Sequence, residues 1–504
     1  MRWKSVNRHI AISVAMGLMA LGPSAAAQHE GGAAPATPPG GFHLGTRLNG
    51  ATGKASFLLN GQPFYPVVYY ANFRAVTPQL LTRLRADGFN SIQLAIDTSD
   101  AGSEGLKQVL ELLHRQGLPA IVEINEGEFW KALRADLSLN MVTLDGKPIK
   151  HFPDYANPAT RRLHLERFAR AARLLQPYAQ QPVIGICVGA YDAYHIPDGE
   201  SHPEFEAPKL VRKYQTLLPF GEHVRSRFVQ YLKDSGIAPQ AIGLERLENM
   251  VRPPSTPEEA ATPLLWQQWI HFRRHLVREW LKDTLAVVTA ATGLPVTVTF
   301  DINFSLREQY ATPPTGWVDL LDFVILYYYG KGNPDEYIPK LLREVYRGFN
   351  AAGKPMICLH EFSSAYGGTS GGAYARNAAP FVAGMMTTGP GQTPFSAHPH
   401  NQERVQSFTR WVREQLGTLA ALAPPRSQVL VVLDQDRPYV ENPFAATLAS
   451  HGIGYDVIYL AAASPIPSMN GYSKLLIPPD FANQLKGKLP PGKVVITDPT
   501  GVKQ

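Results

Sequence analysis

The feature that most constrains this chain is an alternation of short apolar runs with longer amphipathic ones, beginning near residue 55. The spacing predicts strands over Pro66 to Tyr70, Ser91 to Ile96, Ala120 to Ile124, Val183 to Val188, Val296 to Phe300, Phe323 to Tyr328 and Pro355 to Leu359. An eighth, weakly marked, is placed near Thr393 to Ala397. Between them, Leu80, Leu81 and Leu84 recur at helical spacing until Gly88, and Leu106, Val109, Leu110 and Leu113 until Gly117. Asn157-Pro158 opens a long helix, and Trp266 to about Ala291 forms another. Helices at about 338–350, 373–386 and 401–416 fill the remaining slots. Such alternation implies a parallel α/β architecture. No Gly-rich phosphate turn follows the first strand, where Tyr70-Ala71-Asn72-Phe73 stands, and a count near eight favours a closed (β/α)8 TIM barrel over an open doubly wound sheet.

The barrel is expected over residues 55–422, with Ala423-Pro424-Pro425 as a linker and a small α/β unit over 428–504. Residues 1–27 read as a signal peptide: Arg2, Lys4 and Arg8 precede an apolar run from Ile10 to Leu21, and Ala25-Ala26-Ala27 offers a cleavage site. Residues 28–54 read as a flexible leader, rich in Gly and Pro over 28–41. The expected location is therefore periplasmic or extracellular. The formal charge is +6, and removing three basic residues with the signal leaves +3, weak support for a polyanionic partner. The two cysteines, Cys187 and Cys358, exclude a disulfide framework and are expected as small buried apolar residues. His195, His202 and His360 lack metal-ligand spacing, so neither metal nor cofactor is expected.

In a barrel, the residues just past the carboxyl ends of the strands face the site. Here these include Asn125, Glu126 and Glu128 after strand three, and Gly189 to His195 after strand four. Asp301 and Asn303 end strand five, Tyr327-Tyr328-Tyr329 strand six, and His360-Glu361-Phe362 strand seven. Carboxylates and aromatics gathered in one mouth suit a sugar, whose ring face stacks and whose hydroxyls bond carboxylates. Glycosidic cleavage needs two carboxyl groups, and strands four and seven can supply them across the barrel.

The chain resembles the clan A glycoside hydrolases, most closely the family 42 β-galactosidases. The resemblance rests on Asn60-Gly61-Gln62-Pro63-Phe64, Gly88-Phe89-Asn90, Pro158-Ala159-Thr160-Arg161 and the helix with Pro263, Trp266, Trp269, Phe272 and Arg273. Gly452-Ile453, Asp456-Val457, Tyr472 and Leu475 resemble that family's flavodoxin-like trimerisation domain. The resemblance makes Glu361, after Lys354-Pro355, the nucleophile candidate. Where the clan has Asn-Glu on strand four, this chain has Gly189-Ala190-Tyr191-Asp192, so Asp192 is the acid/base candidate and Glu200 the reserve acid. Gln93 stands in the place of the clan's strand-two Arg, and Tyr328 in that of the Tyr contacting the nucleophile. Tyr191, Tyr194, Tyr328, Asn303, Gln93 and Glu126 are the expected substrate contacts.

The expected function is a secreted, retaining glycoside hydrolase acting on an oligo- or polysaccharide. An inverting pair such as Glu361 and Glu200 is a weaker variant. The rival is an inactive barrel that binds carbohydrate or scaffolds an envelope complex. The expected partners are a carbohydrate and, through the C-terminal unit, other copies of the chain; nucleic acid and a membrane span after signal cleavage are not expected.

Overall fold

A computed structural model describes residues 41–50, 52–189, 219–301, 317–328, 334–360, 371–388, 400–419, 421–424, 427–434, 442–460, 466 and 469–498. The first elements are β1 (Leu44–Leu48), β2 (Ala55–Leu59) and β3 (Gln62–Phe64), a three-stranded antiparallel sheet. Asn60 and Gly61 turn β2 into β3 with φ of 52° and 77°, the conformation a two-residue hairpin turn requires. Strand β1 thus occupies part of what the sequence reading assigned to the leader.

The alternation then unfolds as β4 (Val67–Asn72), α1 (Pro78–Asp87), β5 (Ser91–Asp97), α2 (Glu104–Arg115), β6 (Ala120–Asn125) and α3 (Gly127–Ala135). A small antiparallel pair follows, β7 (Asn140–Val142) and β8 (Pro148–Pro153), then α4 (Pro158–Leu175) and β9 (Val183–Cys187). Next come α5 (Glu222–Asp234), α6 (Pro263–Thr292), β10 (Val296–Thr297), β11 (Thr299–Asp301) and β12 (Val324–Tyr328). The barrel ends with α7 (Pro334–Ala351), β13 (Met356–His360), α8 (Gly371–Ala378), β14 (Gly384–Thr388) and α9 (His400–Leu419).

Local chemistry sets the helix ends. Thr77 caps α1 by accepting from the Leu80 amide, with Pro78 in the first turn, and Gly88 closes it at φ 92°. Asn157 with Pro158, and Thr262 with Pro263, start α4 and α6 in the same way.

Strands β10-β9-β6-β5-β4-β14-β13-β12-β11 form one parallel sheet in that order. Its two end strands, β10 and β11, are separated in sequence only by Val298, so the sheet is a nearly closed barrel. The eighth unit differs from expectation. Its strand is Gly384–Thr388, and the helix expected over 373–386 stops at Ala378. Residues 393–397, where the strand was placed, lie outside the described residues.

The amino end of the barrel is plugged. Val68, Ile121, Ile184, Phe323, Ile357 and Ala383 form an apolar layer there with Phe42 and Phe57. Phe57, on β2, meets Phe323 edge to face at 5.8 Å. Burying such a ring stabilises by about 2–3 kcal/mol. Lys54, just before β2, donates to the carbonyls of Ala379 (2.9 Å), Leu419 (3.4 Å) and Leu422 (2.7 Å), at the ends of α8 and α9. Its ammonium therefore serves two sets of helix-terminal carbonyls. With the amino end filled, the carboxyl end is the mouth.

Residues 429–498 form a four-stranded parallel sheet of β15 (Val429–Asp434), β16 (Asp456–Leu460), β17 (Lys474–Leu476) and β18 (Val494–Ile496), in the order β16-β15-β17-β18. The short helices α10 (Ala445–Ser450) and α11 (Pro479–Gln484) cover it. Val429, Val431 and Leu433 pack on one face with Phe444 and Leu448; Leu430 and Val432 pack on the other with Phe481 and Leu485. The sheet docks on α7, where Arg343 donates to the Tyr455 carbonyl at 3.0 Å. No helix among the described residues is long and apolar enough to cross a membrane.

Candidate active site

Parallel strands buried on both faces are read as continuous apolar runs, and β6 breaks that rule with one carboxylate. Glu123 is 2 % exposed inside Ala120–Asn125. Tyr70 on β4 donates its hydroxyl to Glu123 Oε1 at 2.9 Å, and Gln93 on β5 donates Nε2 to Glu123 Oε2 at 2.6 Å. Three adjacent strands therefore meet at one carboxylate, with Tyr70 opposite Gln93 in register. A buried carboxylate is tolerated only where donors replace water, and two donors are supplied here.

The polar lining continues around the barrel. Glu123 pairs in register with Cys187 at the end of β9, whose thiol lies 3.3 Å from the Thr299 hydroxyl on β11. Burial, and then the nearby Glu123 charge, hold the Cys187 thiol far above its ordinary range. Burial likewise pushes Cys358 up to about 12. Both cysteines are unpaired and buried, as small apolar residues are, and neither is poised as a nucleophile.

The rim is laced by acids from neighbouring loops. Asp97, at the end of β5, accepts from the Ser99 amide at 3.1 Å and the Glu128 amide at 3.4 Å. Asp100 accepts from the Asp97 amide at 3.1 Å and pairs with Arg74 at 2.5 Å, Arg74 lying in the loop after β4. The mouth over β4, β5 and β6 is thereby held in one arrangement. Gly127 is required there: a Cβ would overlap the Asp97 carboxylate.

A second polar cluster lies in the helical layer. Glu126, before α3, sits 3.0 Å from His164 Nδ1 on α4, and His164 Nε2 lies 2.8 Å from the Thr284 hydroxyl on α6. Thr284 donates its own hydrogen to the Trp280 carbonyl at 2.9 Å, so it accepts from His164. Phe129, Phe168 and Trp280 enclose the imidazole. The three groups fix α3, α4 and α6 together; Thr284 and His164, fully buried, are not set up to attack a substrate.

Of the residues singled out from the sequence, Gln93 sits in the barrel cluster and Glu126 in the helical one. Tyr328 ends β12 opposite His360, the last residue of β13. Glu361, Asp192, Glu200, Tyr191, Tyr194 and Asn303 lie outside the described residues. Sequence reasoning missed Glu123 and Tyr70. The signal was present: one acid in the apolar run Ala120-Ile121-Val122-Glu123-Ile124. Among the described residues no group of three His, Cys, Asp or Glu is arranged to hold a metal ion.

No protein-family model matches the chain, and no curated protein matches it in sequence. Solved structures do match. The family 42 exo-carrageenase from Bacteroides ovatus aligns with a TM-score of 0.63 at 9% identity, over 92% of this chain and 73% of that one. The β-galactosidase from Bacillus circulans sp. alkalophilus aligns with a TM-score of 0.60 at 12% identity, over 84% of this chain and 69% of that one. The catalytic domain of β-amylase from Paenibacillus polymyxa aligns with a TM-score of 0.53 at 10% identity, over 70% and 98%. At such identities the likeness is one of fold: this chain has the parallel barrel found in these glycoside hydrolases.

Proposed function

We propose that the chain is an exported glycoside hydrolase of the clan A type, acting on an oligo- or polysaccharide with retention. The observation that carries the reading is a glycosidase-like barrel, plugged at its amino end, whose carboxyl half holds the Tyr70–Glu123–Gln93 cluster beneath an acidic rim. Glu361, the residue after β13, attacks the anomeric carbon; Asp192, past β9, protonates the leaving oxygen and then activates water. Export follows cleavage after Ala27, and the sheet of residues 429–498 serves packing or self-association. A β-galactoside is the first substrate to try, on the family resemblance and the β-galactosidase among the fold neighbours.

The deciding experiment uses Glu361→Gln, which keeps shape and hydrogen bonding but removes the attacking charge. Turnover on aryl glycosides should fall at least 1,000-fold, as expected when a nucleophile is lost, while sugar binding survives. Activity within tenfold of wild type would remove Glu361 from the role.

Gln93 favours a second reading. A neutral amide bonded to Glu123 stands where the clan places an Arg. A barrel that binds sugar without cleaving it fits that substitution. Measurable glycan binding with no hydrolysis across a broad panel would select it.

A further inference from the structure

The Gln93 amide is only half used. Its Nε2 donates to Glu123 at 2.6 Å, yet its Oε1, in a side chain with no exposed surface, has no hydrogen-bond partner. The orientation is forced, because turning the amide over would set its oxygen against the carboxylate. A buried acceptor left without a donor is costly, by about 1–3 kcal/mol, so a donor belongs there. The surroundings say what kind. None of the nine barrel strands carries a Lys or Arg, whereas Asp97, Glu123 and Asp301 lie within them. No Lys or Arg of the barrel wall can supply that donor, and the charge next to the amide is the Glu123 carboxylate.

We infer that Gln93 and Glu123 read hydroxyl groups at the inner surface of the barrel, selecting an uncharged sugar ring over a sulfated or carboxylated one. Gln93 Oε1 accepts from the ring hydroxyl. Glu123 fixes the amide that does so and repels an anionic substituent. Tyr70, the half-buried member, donates to the other oxygen of the Glu123 carboxylate. An acceptor-lined site discriminates strongly, since a ligand lacking the hydroxyl leaves buried groups unpaired. The inference rests on the reading that this barrel binds carbohydrate, not on the identity of its nucleophile.

The test is calorimetric titration of the full chain with neutral galacto-, gluco- and manno-oligosaccharides and with their sulfated and uronate-containing counterparts. Wild type should bind a neutral member at least tenfold more tightly than its anionic counterpart. Gln93→Met, which keeps length and loses the acceptor, should weaken neutral binding tenfold or more. Glu123→Gln should narrow the gap between neutral and anionic ligands. Tyr70→Phe, a smaller perturbation at a less buried position, serves if the other variants do not fold, and should weaken neutral binding severalfold. Equal wild-type affinity for both classes, no sugar binding at all, or unchanged selectivity in the folded variants would overturn the assignment. Selective binding without hydrolysis would leave it standing and remove the glycosidase reading; hydrolysis with selectivity untouched by these variants would remove it alone.

Discussion

Arg347 on α7 and Asp456 at the start of β16 meet at 2.9 Å, their side chains 16% and 6% exposed. This pair joins the barrel to the C-terminal sheet, and Tyr472 donates to the same carboxylate at 2.8 Å. Breaking a pair this buried leaves one charge without its partner. Arg347→Met should therefore destabilise the protein by about 2–4 kcal/mol, and Arg347→Met with Asp456→Leu by clearly less. Thermal unfolding of the three proteins measures this; a double variant as weak as the single would argue against the pair as the joint.

Lys54 offers a test of the plug. Burial lowers its ammonium to about 7, against an ordinary 10.5. The charged form is thus penalised in the folded state, and stability from this group should rise between about pH 7 and 10.5. Lys54→Met removes that pH dependence but leaves the carbonyls of Ala379, Leu419 and Leu422 without their donor. Losing the donor costs about 2–4 kcal/mol; the relieved burial penalty opposes that loss and is larger at pH 7 than at pH 9, so the variant should lose more stability at pH 9. Denaturant titrations at pH 7 and 9 separate the two.

Asp154 should make the fold acid-tolerant over a narrow range. Burial raises its carboxyl to about 6 from 3.8, although it accepts from the Ala156 amide. A raised folded value means a contribution fully present below pH 3.8 and lost as pH rises through 6. Asp154→Asn should flatten that slope, which amounts to roughly 2–3 kcal/mol. Melting temperatures from pH 4 to 7 in both proteins provide the check; parallel curves would exclude Asp154 as the source.

Gly127→Ala should disturb the mouth without touching the chemistry. The added methyl would displace Asp97 from the Ser99 and Glu128 amides. A loss of about 1–3 kcal/mol is expected, with weaker sugar binding. An unchanged melting temperature would show that the rim yields easily.

For the reaction itself, Asp192→Asn should harm natural glycosides most and activated aryl glycosides least, because good leaving groups need little protonation. Equal loss on both would point away from Asp192 as the acid.

Strands one to seven were legible because each is a run of apolar residues bounded by turn or helix signals, and parallel strands covered on both faces produce that pattern. The eighth was not. Gly384-Met385-Met386-Thr387-Thr388 has a weak β signature and follows the helix-like stretch Tyr374 to Ala379. Its glycine answers to a tertiary demand: a Cβ at Gly384 would lie 2.9 Å from the Pro66 carbonyl, where β14 closes against β4. No local pattern announces that approach. The site was half legible for a similar reason. Attention to positions past the strand ends found Gln93 only through the resemblance, and passed over Glu123, which lies two residues inside its strand. The bond from His164 to Thr284 spans 120 residues and has no local trace.

The Lys54 anchor also orders events in time. Its three acceptors lie 325, 365 and 368 residues further along the chain. The cluster of Tyr70, Gln93 and Glu123, by contrast, is drawn from one contiguous stretch, with its longest bond spanning 53 residues. Contacts of short sequence separation close first, because less chain entropy opposes them. That polar wall can therefore form while the rest of the barrel is still open, but the Lys54 anchor cannot be completed until residue 422 has arrived. A chain halted short of α9 would carry a formed polar wall above a β2 still missing two of the three Lys54 anchors.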